Sequence, residues 1–387
     1  MPNLSYDCLV VGAGFAGAVA AHELAERGSL RVLLLEQRFH TAGNAYDCKD
    51  TAGVLVHLYG PHIFHTNSLR VYDYLSRFTA WRNYRHEVLA RVGDMLLPLP
   101  FNFTSLEMVF GPKAPLLEKK LLASYGGAGE AGILALRRSG DAELRALSDY
   151  VYDNVFSYYT QKQWGTAPEE IDEAVTARVP VRLSHRSGYF LDRFQGMPKD
   201  GYAALFGRLL DHPNITVLLG TDAGSRMRFT DTDILLDGTP FSGPVIYTGA
   251  PDALFGCRFG ALPYRTLDFE FETLPVDFHQ PVGTVNYTVS EPYTRITEFK
   301  HLTGQLLPGV TTIAREYSRA AGEGDIPYYA ILNDANRALY DRYAALAARY
   351  PNLHLLGRLA EYRYYNMDAV VERALTCSDA LLEELQP

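Results

Sequence analysis

The stretch that decides the fold reads YDCLVVGAGFAG, from Tyr6 to Gly17. The apolar run CLVV ends in three glycines with the spacing G-x-G-x-x-G, and an alanine-rich segment follows as far as Arg27. A second apolar run, VLLL, then ends at Glu36. This order predicts a strand, a tight turn, a helix and a second strand, which together form half of a nucleotide-binding fold.

Each part of this turn has a separate physical role. Gly12 permits the sharp turn, Gly14 lets the backbone approach a pyrophosphate, and Gly17 lets the helix pack closely on the strand. The phosphates would then meet the amides and the dipole of the helix N-terminus. Glu36 stands where a carboxylate can accept hydrogen bonds from both ribose hydroxyls. An ordinary glycine turn is the alternative, but the flanking strands, the helix and the acid favour a dinucleotide site.

Length and composition limit the classes of protein to consider. A chain of 387 residues exceeds what one hydrophobic core usually serves, which predicts two or three structural units. A hydrophobic content of 47% and a charged content of 21% are typical of a folded globular protein, and a net charge of -9 argues against binding of nucleic acid. The cysteines are scattered without a C-x-x-C pair, so neither disulfides nor a zinc site is expected.

Neither a targeting segment nor a membrane segment is expected from the sequence. The longest uncharged run, from Cys8 to Ala21, is too short to span a bilayer and is interrupted by three glycines. Its N-terminal flank carries Asp7 and no basic residue, unlike a signal peptide. We therefore expect a cytoplasmic protein.

The rest of the chain predicts a helical insertion and a sheet between parts of the nucleotide-binding unit. Helical patterns dominate from about 104 to 165, and alternating strand patterns from Leu267 to about Ser318. The segment GRLAEYRYYNMD at 357–368 follows a short strand and predicts a second nucleotide-contacting element. The expected divisions are 1–100, 186–260 and 331–387 for a discontinuous nucleotide-binding α/β domain, 101–185 for a helical domain and 261–330 for a sheet domain.

An aromatic stripe closes the last helix of the insertion. Helical spacing places four side chains on one face: Phe156, Tyr159, Thr160 and Trp164. Most such stripes are core packing, which is the alternative here. Against it, the stripe is polar at Thr160 and precedes a long polar loop, 166–199, that carries Arg178, Arg182 and Arg186. Aromatic rings beside a basic loop suit the base and the phosphates of a nucleoside diphosphate.

Arginines and histidines elsewhere leave alternatives open. Arg295 and Arg315 lie inside predicted strands, where each needs either an acidic partner or an anionic ligand. His62 and His65, in the segment GPHIFHT, have a spacing that metal ligands can have, but no third ligand cluster accompanies them. We therefore expect this segment to line a cofactor site, and we expect no bound metal.

Taken together, these motifs resemble those of the UDP-galactopyranose mutase family of the bacterial type. The resemblance extends over essentially the whole chain and rests on six segments: GAGFAG with Glu36, the GGNAY-like segment at 42–46, GPHIFHT at 60–66, YYTQKQWG at 158–165, RITEFKH at 295–301 and GRLAEYRYYNMD at 357–368. Several of these segments are long and not generic, which makes the resemblance specific.

The resemblance implies an α/β fold with three parts: a FAD-binding Rossmann-like domain of the glutathione-reductase type, a helical-bundle domain and an antiparallel β-sheet domain. It implies bound FAD, active in the reduced form, in an isomerase that interconverts UDP-galactopyranose and UDP-galactofuranose. The reduced flavin would attack the anomeric carbon, which agrees with the absence of hydrolase and metalloprotease motifs from the sequence. These sugar nucleotides are the expected partners, and a homodimer is expected.

The resemblance also implies roles for individual residues. Arg178 and Arg295 would hold the diphosphate and act in catalysis together with His65, which would lie against the flavin. FAD would be bound by Gly12, Gly14, Phe15, Gly17, Glu36, Gln37, Arg38, Gly43, Asn44, His62, His65, Arg358 and Met367. The sugar nucleotide would be bound by Phe156, Tyr159, Thr160, Trp164, Arg178, Tyr189, Arg295, Tyr329, Tyr364 and Asn366.

One position departs from the family pattern. Asn366 stands where many members have aspartate, so this chain offers no negative charge there, although an amide can still bond a sugar hydroxyl. Two alternatives share the first motif: a flavin amine oxidase-like oxidoreductase and a non-catalytic FAD-binding module. The oxidase alternative leaves Arg178, Arg295 and the aromatic stripe unexplained.

Overall fold

The computed structural model describes residues 6–165 and 180–385. A five-stranded parallel sheet forms the centre of the nucleotide-binding unit. Its strands, in spatial order, are Ile215–Leu218, Val32–Leu35, Cys8–Val11, Val245–Tyr247 and Leu353–Leu355. The middle three are buried along almost their whole length, because a parallel sheet is covered by other elements on both faces. The sheet thus draws its strands from widely separated parts of the chain.

The strand, turn and helix expected at the start are present. The strand Cys8–Val11 leads through the glycine turn into the helix Phe15–Gly28. This helix is buried along most of its length and packs against the last helix, Met367–Leu385. The two helices approach closely at Gly28, where a Cβ atom would lie 2.6 Å from Leu382 Cδ2.

The second large sheet of the described residues has seven strands. Its strands, in spatial order, are Tyr329–Ala330, Tyr264–Leu274, Thr311–Ala320, Arg295–Glu298, Thr284–Tyr287, Val88–Val92 and Met95–Leu99. Neighbouring strands are antiparallel except Thr284–Tyr287 and Val88–Val92, which are parallel. The expected antiparallel sheet is therefore present, and the hairpin formed by Val88–Val92 and Met95–Leu99 lies at its edge.

A helical unit occupies the region 101–165. Its helices are Phe103–Phe110, Ala114–Tyr125, Ile133–Arg137, Ala142–Val151 and Ser157–Trp164. A π-helical turn, Tyr152–Phe156, joins the last two helices. The helices share a hydrophobic core with the strands Val88–Val92 and Met95–Leu99, and this core includes Leu106, Leu121 and Leu147. The aromatic stripe therefore begins inside an interruption of regular α-helical geometry, a feature that is frequent at functional sites.

Short elements complete the fold. The remaining α-helices of the described residues are Leu69–Ser76, Tyr202–Leu210, Pro251–Leu254, Phe299–Thr303 and Asp334–Ala347. Small sheets pair Asp47–Lys49 with Leu55–His57, Phe64–Thr66 and Trp81–Asn83 with Phe194–Pro198, Glu130–Gly132 with Pro180–Arg182, and Ile234–Leu236 with Met227–Phe229 and Thr239–Pro240. None of the described helices combines the length and the apolar character needed to cross a membrane.

Side chains cap the starts of two of these helices. Ser68 caps the helix Leu69–Ser76, and its side chain accepts a hydrogen bond from the backbone of Val71. Asn333 caps the helix Asp334–Ala347, and its side chain accepts a hydrogen bond from the backbone of Asn336. Serine and asparagine are favoured at this position because their oxygens satisfy free N–H groups of the first turn.

Candidate active site

Residues of both the parallel sheet and the seven-stranded sheet line one cavity of about 1150 Å³. The last residues of three parallel strands, Val11, Leu35 and Tyr247, lie on its wall. The strand Cys8–Val11 is central in its sheet, with later strands on both sides. In open α/β sheets, ligands bind at the carboxyl ends of the strands where the strand order reverses. The glycine turn stands at this point.

The glycine turn presents bare backbone to the cavity. Gly12 has a φ of 99°, and a Cβ atom there would lie 2.1 Å from Thr248 Oγ1. A Cβ atom at Gly43 would lie 2.9 Å from the Cα atom of Gly14, so these two segments touch backbone to backbone. Gly17 is absent from the wall, and a Cβ atom there would lie 1.9 Å from the carbonyl oxygen of Gly12. Gly17 thus serves the close packing of helix and strand.

Glu36 and Arg38 lie beside this turn on the wall of the cavity. The Glu36 carboxylate accepts hydrogen bonds from Ala13 N at 2.8 Å and from Arg38 N at 2.9 Å, which fixes its orientation and leaves lone pairs for a ribose. Arg38 donates from Nη2 to Asn44 Oδ1 at 2.9 Å and stacks over Tyr59 at 4.3 Å. Its Nη1 is shielded from solvent without a partner among the described residues. This nitrogen suits an anionic group.

Five more residues expected to bind FAD line the cavity: Gln37, His62, His65, Arg358 and Met367. Burial lowers the pKa of His62 to about 4, so this imidazole is neutral at pH 7. The guanidinium of Arg358 lies 5.2 Å from the centre of the Tyr329 ring, where a cation–π interaction orients it. This part of the wall therefore combines one fixed cation with a neutral imidazole.

Arg295 is the charged centre of the opposite wall. Its Nη2 donates to the Tyr159 hydroxyl at 2.7 Å, and its Nε lies 3.3 Å from Glu316 Oε1 without a well-directed hydrogen bond. Burial disfavours the charged guanidinium, but the Glu316 carboxylate and the phenols of Tyr159, Tyr329 and Tyr189 together outweigh burial and raise the pKa of Arg295 above its ordinary value. Burial raises the pKa of Tyr159. The site thus holds a permanent positive charge beside a protonated phenol.

Three more tyrosines complete this wall: Tyr189, Tyr329 and Tyr364. Tyr329 and Tyr364 stack with ring centres 5.6 Å apart and planes 17° apart. Trp164 contacts both rings, at 5.9 and 6.2 Å between centres, but is not itself on the wall. Trp164 therefore reaches the cavity through these two tyrosines.

Tyr159 alone of the aromatic stripe lies on the cavity wall. Phe156 is 1% exposed and packs against Tyr152 in the core of the helical unit. Phe156 is the last residue of the π-helical turn Tyr152–Phe156, which changes the angle between successive side chains, so regular helical spacing does not apply there. Thr160 is also buried away from the wall. Substrate contacts of Phe156, Thr160 and Trp164 stay predictions, and Arg178 lies outside the described residues.

Arg295 and Arg315 lie inside strands, where each was expected to have either an acidic partner or an anionic ligand, and the structure gives them different surroundings. Arg315 forms an ion pair with Glu272 at 2.7 Å and is absent from the cavity wall. Arg295 has both an acidic neighbour, Glu316, and a position on the wall. An ion pair therefore accounts for Arg315, whereas Arg295 is also free to meet an anionic ligand.

Four polar residues on the wall are not among those expected from the sequence: His86, Thr284, Asn286 and Glu316. Arg182, one of the arginines of the predicted basic loop, also lies on the wall. The side chains of Arg182, Thr284 and Asn286 each have a buried polar atom without a partner among the described residues. Burial lowers the pKa of His86 to about 3. Glu316 is the register partner of Arg295, a contact that is visible only once the strand pairing is known.

Comparison with known proteins decides the family. The family model described as UDP-galactopyranose mutase matches residues 154–364, just over half of the chain. The chain belongs to the UDP-galactopyranose mutase family. A model of NAD(P)-binding Rossmann-like domains matches residues 10–78, which agrees with the sheet and the glycine turn. The resemblance drawn from the motifs and the fold class drawn from it are confirmed.

Individual relatives extend this match over nearly the whole length. The UDP-galactopyranose mutase of Mycoplasma pneumoniae is 37% identical, over 98% of this chain and 96% of that protein. The dTDP-fucopyranose mutase of Escherichia coli is 33% identical, over 97% of this chain and 98% of that protein. A crystal structure of reduced UDP-galactopyranose mutase matches with a TM-score of 0.73 at 16% identity, over 98% of this chain and 94% of that chain. That likeness shows a shared fold.

Family membership also gives the class of enzyme. The family consists of flavin-dependent isomerases that interconvert pyranose and furanose forms, and the cofactor is FAD. The alternatives of an amine oxidase and of a non-catalytic module are therefore set aside. The residues present fit FAD: a bare backbone at Gly12, Gly14 and Gly43, an oriented carboxylate at Glu36 and an unpaired guanidinium nitrogen at Arg38.

Proposed function

We propose that this chain interconverts UDP-galactopyranose and UDP-galactofuranose, with FAD in its reduced form. The observation that carries the proposal is that Arg295 and Tyr159 share one cavity with the glycine turn and Glu36. The cavity volume of about 1150 Å³ exceeds the roughly 300–1000 Å³ of a pocket for one ligand. This volume supports a cofactor and a substrate bound side by side.

The adenine half of FAD would lie at the glycine turn. The pyrophosphate would face the backbone of Gly12 and Gly14 and the unpaired Nη1 of Arg38, and the ribose would bond to Glu36. When bound, reduced FAD supplies the nucleophile for the anomeric carbon. Binding the sugar nucleotide and stabilising the leaving UDP remain tasks for side chains of the protein.

Arg295 would stabilise the diphosphate as it leaves the sugar. Its raised pKa keeps the guanidinium charged, and the attraction grows as negative charge develops on the leaving group. Tyr159 accepts a hydrogen bond from Arg295 and keeps its own hydrogen for a phosphate or sugar oxygen. Burial also raises the pKa of Tyr329, so its hydroxyl remains a donor. Arg178, outside the described residues, would add a second cation.

One assay tests the substrate and the flavin state together. UDP-galactofuranose is incubated with the holoprotein, with and without dithionite, and the sugar nucleotides are separated by chromatography. We expect UDP-galactopyranose to form only in the reduced sample. Conversion without reductant, or no conversion in either sample, would contradict the proposal.

A dTDP-fucopyranose substrate is the second candidate. It is supported by the Escherichia coli relative, which is 33% identical over 97% of this chain. The two nucleotides differ by the thymine methyl group, the ribose 2′-hydroxyl and the hydroxyl at C6 of the sugar. Parallel assays of both substrates should give a kcat/KM at least about tenfold higher for UDP-galactopyranose. The reverse ratio would assign this chain to the second reaction.

We also propose that the chain acts as a homodimer. The helical unit exposes three large apolar side chains to solvent, each by nearly half: Met108, Leu116 and Leu122. Contact with a second copy would remove them from water. Light scattering of the holoprotein should give twice the mass of the chain, and Leu116→Lys with Leu122→Lys should give the monomer. A monomeric wild type would contradict this part of the proposal.

A further inference from the structure

His65 and Asp192 form a pair at the cavity that the proposed function does not explain. His65 lies in the strand Phe64–Thr66 and lines the cavity, and its Nδ1 lies 3.0 Å from Asp192 Oδ2. Asp192 precedes the strand Phe194–Pro198, which pairs antiparallel with the strand of His65. The two side chains are 14% and 21% exposed, so the contact is largely shielded from water.

The carboxylate of Asp192 is oriented from both sides. Its second oxygen, Oδ1, accepts a hydrogen bond from Asn67 Nδ2 at 2.9 Å. The amide of Asn67 has a defined orientation, because its Oδ1 accepts the backbone N–H of Arg193 at 2.9 Å. An ionised carboxylate only accepts hydrogen bonds, so the Nδ1 of His65 carries the hydrogen.

The ring of His65 is also fixed in its plane. It stacks on Phe190, with ring centres 3.6 Å apart and planes 14° apart. In a neutral imidazole with hydrogen on Nδ1, the other ring nitrogen, Nε2, carries a lone pair. Nε2 is then a hydrogen-bond acceptor on a residue of the cavity wall.

We propose that Asp192 is a positioning residue that holds His65 in the Nδ1–H tautomer, so that Nε2 accepts a hydrogen bond from an N–H or O–H donor bound in the cavity. The donor is a group of the reduced flavin or a hydroxyl of the sugar, and only this identity rests on the proposed function. Asp192 acts through His65 and is itself absent from the cavity wall.

The substitution Asp192→Asn inverts this arrangement. The new amide has one oxygen and one nitrogen, and its oxygen faces Asn67 Nδ2, whose orientation the backbone fixes. The amide nitrogen then faces His65 Nδ1, which must become an acceptor, and the hydrogen moves to Nε2. The same exchange in a Ser-His-Asp triad produces the wrong histidine tautomer. The cavity then meets a donor where it had an acceptor.

The tautomer is measured by long-range proton–nitrogen correlation spectra of the oxidised holoprotein labelled with nitrogen-15 histidine. The signals of His65 are assigned by their loss in His65→Gln. We expect Nδ1–H in the wild type and Nε2–H in Asp192→Asn. The matched control is Asp200→Asn, because Asp200 is exposed, pairs with Arg208 at 3.2 Å and should leave the wild-type tautomer. Any other state in the wild type, or the same state in both proteins, overturns the proposal.

Function is measured on the same proteins. Loss of the acceptor should lower kcat/KM for UDP-galactopyranose roughly tenfold with FAD content unchanged. A midpoint potential more negative by about 30 mV, which is tenfold in a two-electron equilibrium, identifies the flavin as the donor. A raised KM at unchanged potential identifies the sugar hydroxyl. If kcat/KM and potential are both unchanged, the proposal is overturned. If the proposed function is wrong, the wild type shows no turnover of UDP-galactopyranose. The tautomer spectra then still test the role of Asp192, because they do not depend on turnover.

Asp192→Ala is a second variant, which tests the same proposal if Asp192→Asn folds poorly or loses FAD. Asp192→Ala removes the acceptor without adding a donor, so nothing then favours hydrogen on Nδ1 of His65. The spectrum should show Nε2–H or a mixture of the two tautomers. A pure Nδ1–H state in this variant would show that Asp192 does not set the tautomer.

Discussion

The glycine turn and the wall around Arg295 serve one cavity but are built in different ways. The turn presents backbone, and it depends on the absence of side chains at Gly12 and Gly43. The wall presents side chains, and Arg295 meets Tyr159 from 136 positions away in the sequence. Gly12 and Gly43 therefore have no room for a Cβ atom, whereas the wall depends on charges and hydroxyls that distant segments bring together.

Adding one methyl group should damage the turn most. Gly12→Ala places a Cβ atom 2.1 Å from Thr248 Oγ1, in a backbone conformation with φ of 99° that L-residues disfavour. We expect the flavin content of the purified protein, measured by absorbance, to fall by about tenfold or more. Gly53→Ala is the matched control, because Gly53 also has a positive φ, 83°, but nothing within 4 Å. If the Gly12→Ala protein were fully loaded with flavin, the glycine turn would not depend on the absence of a side chain at Gly12.

The second-largest effect is expected on turnover, when the positive charge of Arg295 is removed from the wall. Arg295→Ala is expected to lower kcat by roughly 10²–10³-fold while FAD stays bound, because the leaving diphosphate loses its cation. Arg315→Ala is the control, since Arg315 is paired with Glu272 and lies off the cavity wall. Steady-state assays of both variants test the difference. Near-normal turnover in both would show that the wall does not act through Arg295.

A double variant separates the charge of Arg295 from its effect on stability. Arg295→Ala leaves Glu316 buried and unpaired, and breaking such a pair costs roughly 3–5 kcal/mol. Arg295→Met combined with Glu316→Gln should recover most of the loss in Tm without recovering turnover. Recovered turnover in the double variant would mean that the positive charge is dispensable.

Low pH should lower the stability of the folded protein because it buries three histidines. Burial lowers the pKa values of His57, His62 and His86 to about 3, 4 and 3. In the unfolded chain each imidazole takes up a proton near pH 6.5, whereas in the folded protein it does so only at much lower pH. The stability they contribute is present above pH 6.5 and is lost as the pH falls from about 6.5 to about 4 for His62 and to about 3 for His57 and His86.

His57→Asn tests this acid sensitivity. The asparagine Oδ1 can still accept the hydrogen bond from His62 N that His57 Nδ1 accepts at 3.1 Å, but it does not titrate. Between pH 6 and 4, the free energy of unfolding should then change with pH by about 1.4 kcal/mol per pH unit less than in the wild type. Denaturant unfolding at several pH values measures the slope. An unchanged slope would show that His57 takes up a proton in the folded state.

The smallest effect is expected at Asn366, which lies on the wall of the cavity. Asn366→Asp should retain measurable activity, because an amide and a carboxylate can both accept a hydrogen bond from a sugar hydroxyl. Values of kcat and KM for the variant test this. Complete loss of activity with folding and FAD content unchanged would show that the amide itself is required.

The same contrast explains what the sequence could predict. The glycine turn and Glu36 are encoded within one strand–helix–strand unit, so their spacing alone was sufficient. Arg295 was recognisable in its motif, but its neighbour Glu316 was not, because the register of two strands creates that contact. Asp192 lies 127 positions from His65, and no local pattern marks it.

Helical spacing also has a limit at the aromatic stripe. It grouped Phe156 with Tyr159, whereas the structure buries Phe156 in the helical core and leaves Tyr159 on the cavity wall. Phe156 belongs to the π-helical turn Tyr152–Phe156, whereas Tyr159 lies in the helix Ser157–Trp164, and the regular helical period does not reveal such a turn.

The order of strands in the parallel sheet has a consequence for the maturation of the enzyme in the cell. The glycine turn precedes the closing strand, Leu353–Leu355, and its partner helix, Met367–Leu385, by most of the length of the chain. During synthesis the turn therefore leaves the ribosome long before the segments that complete its sheet. We therefore expect the complete FAD site to form only after translation, and bound FAD would then stabilise the association of early and late segments.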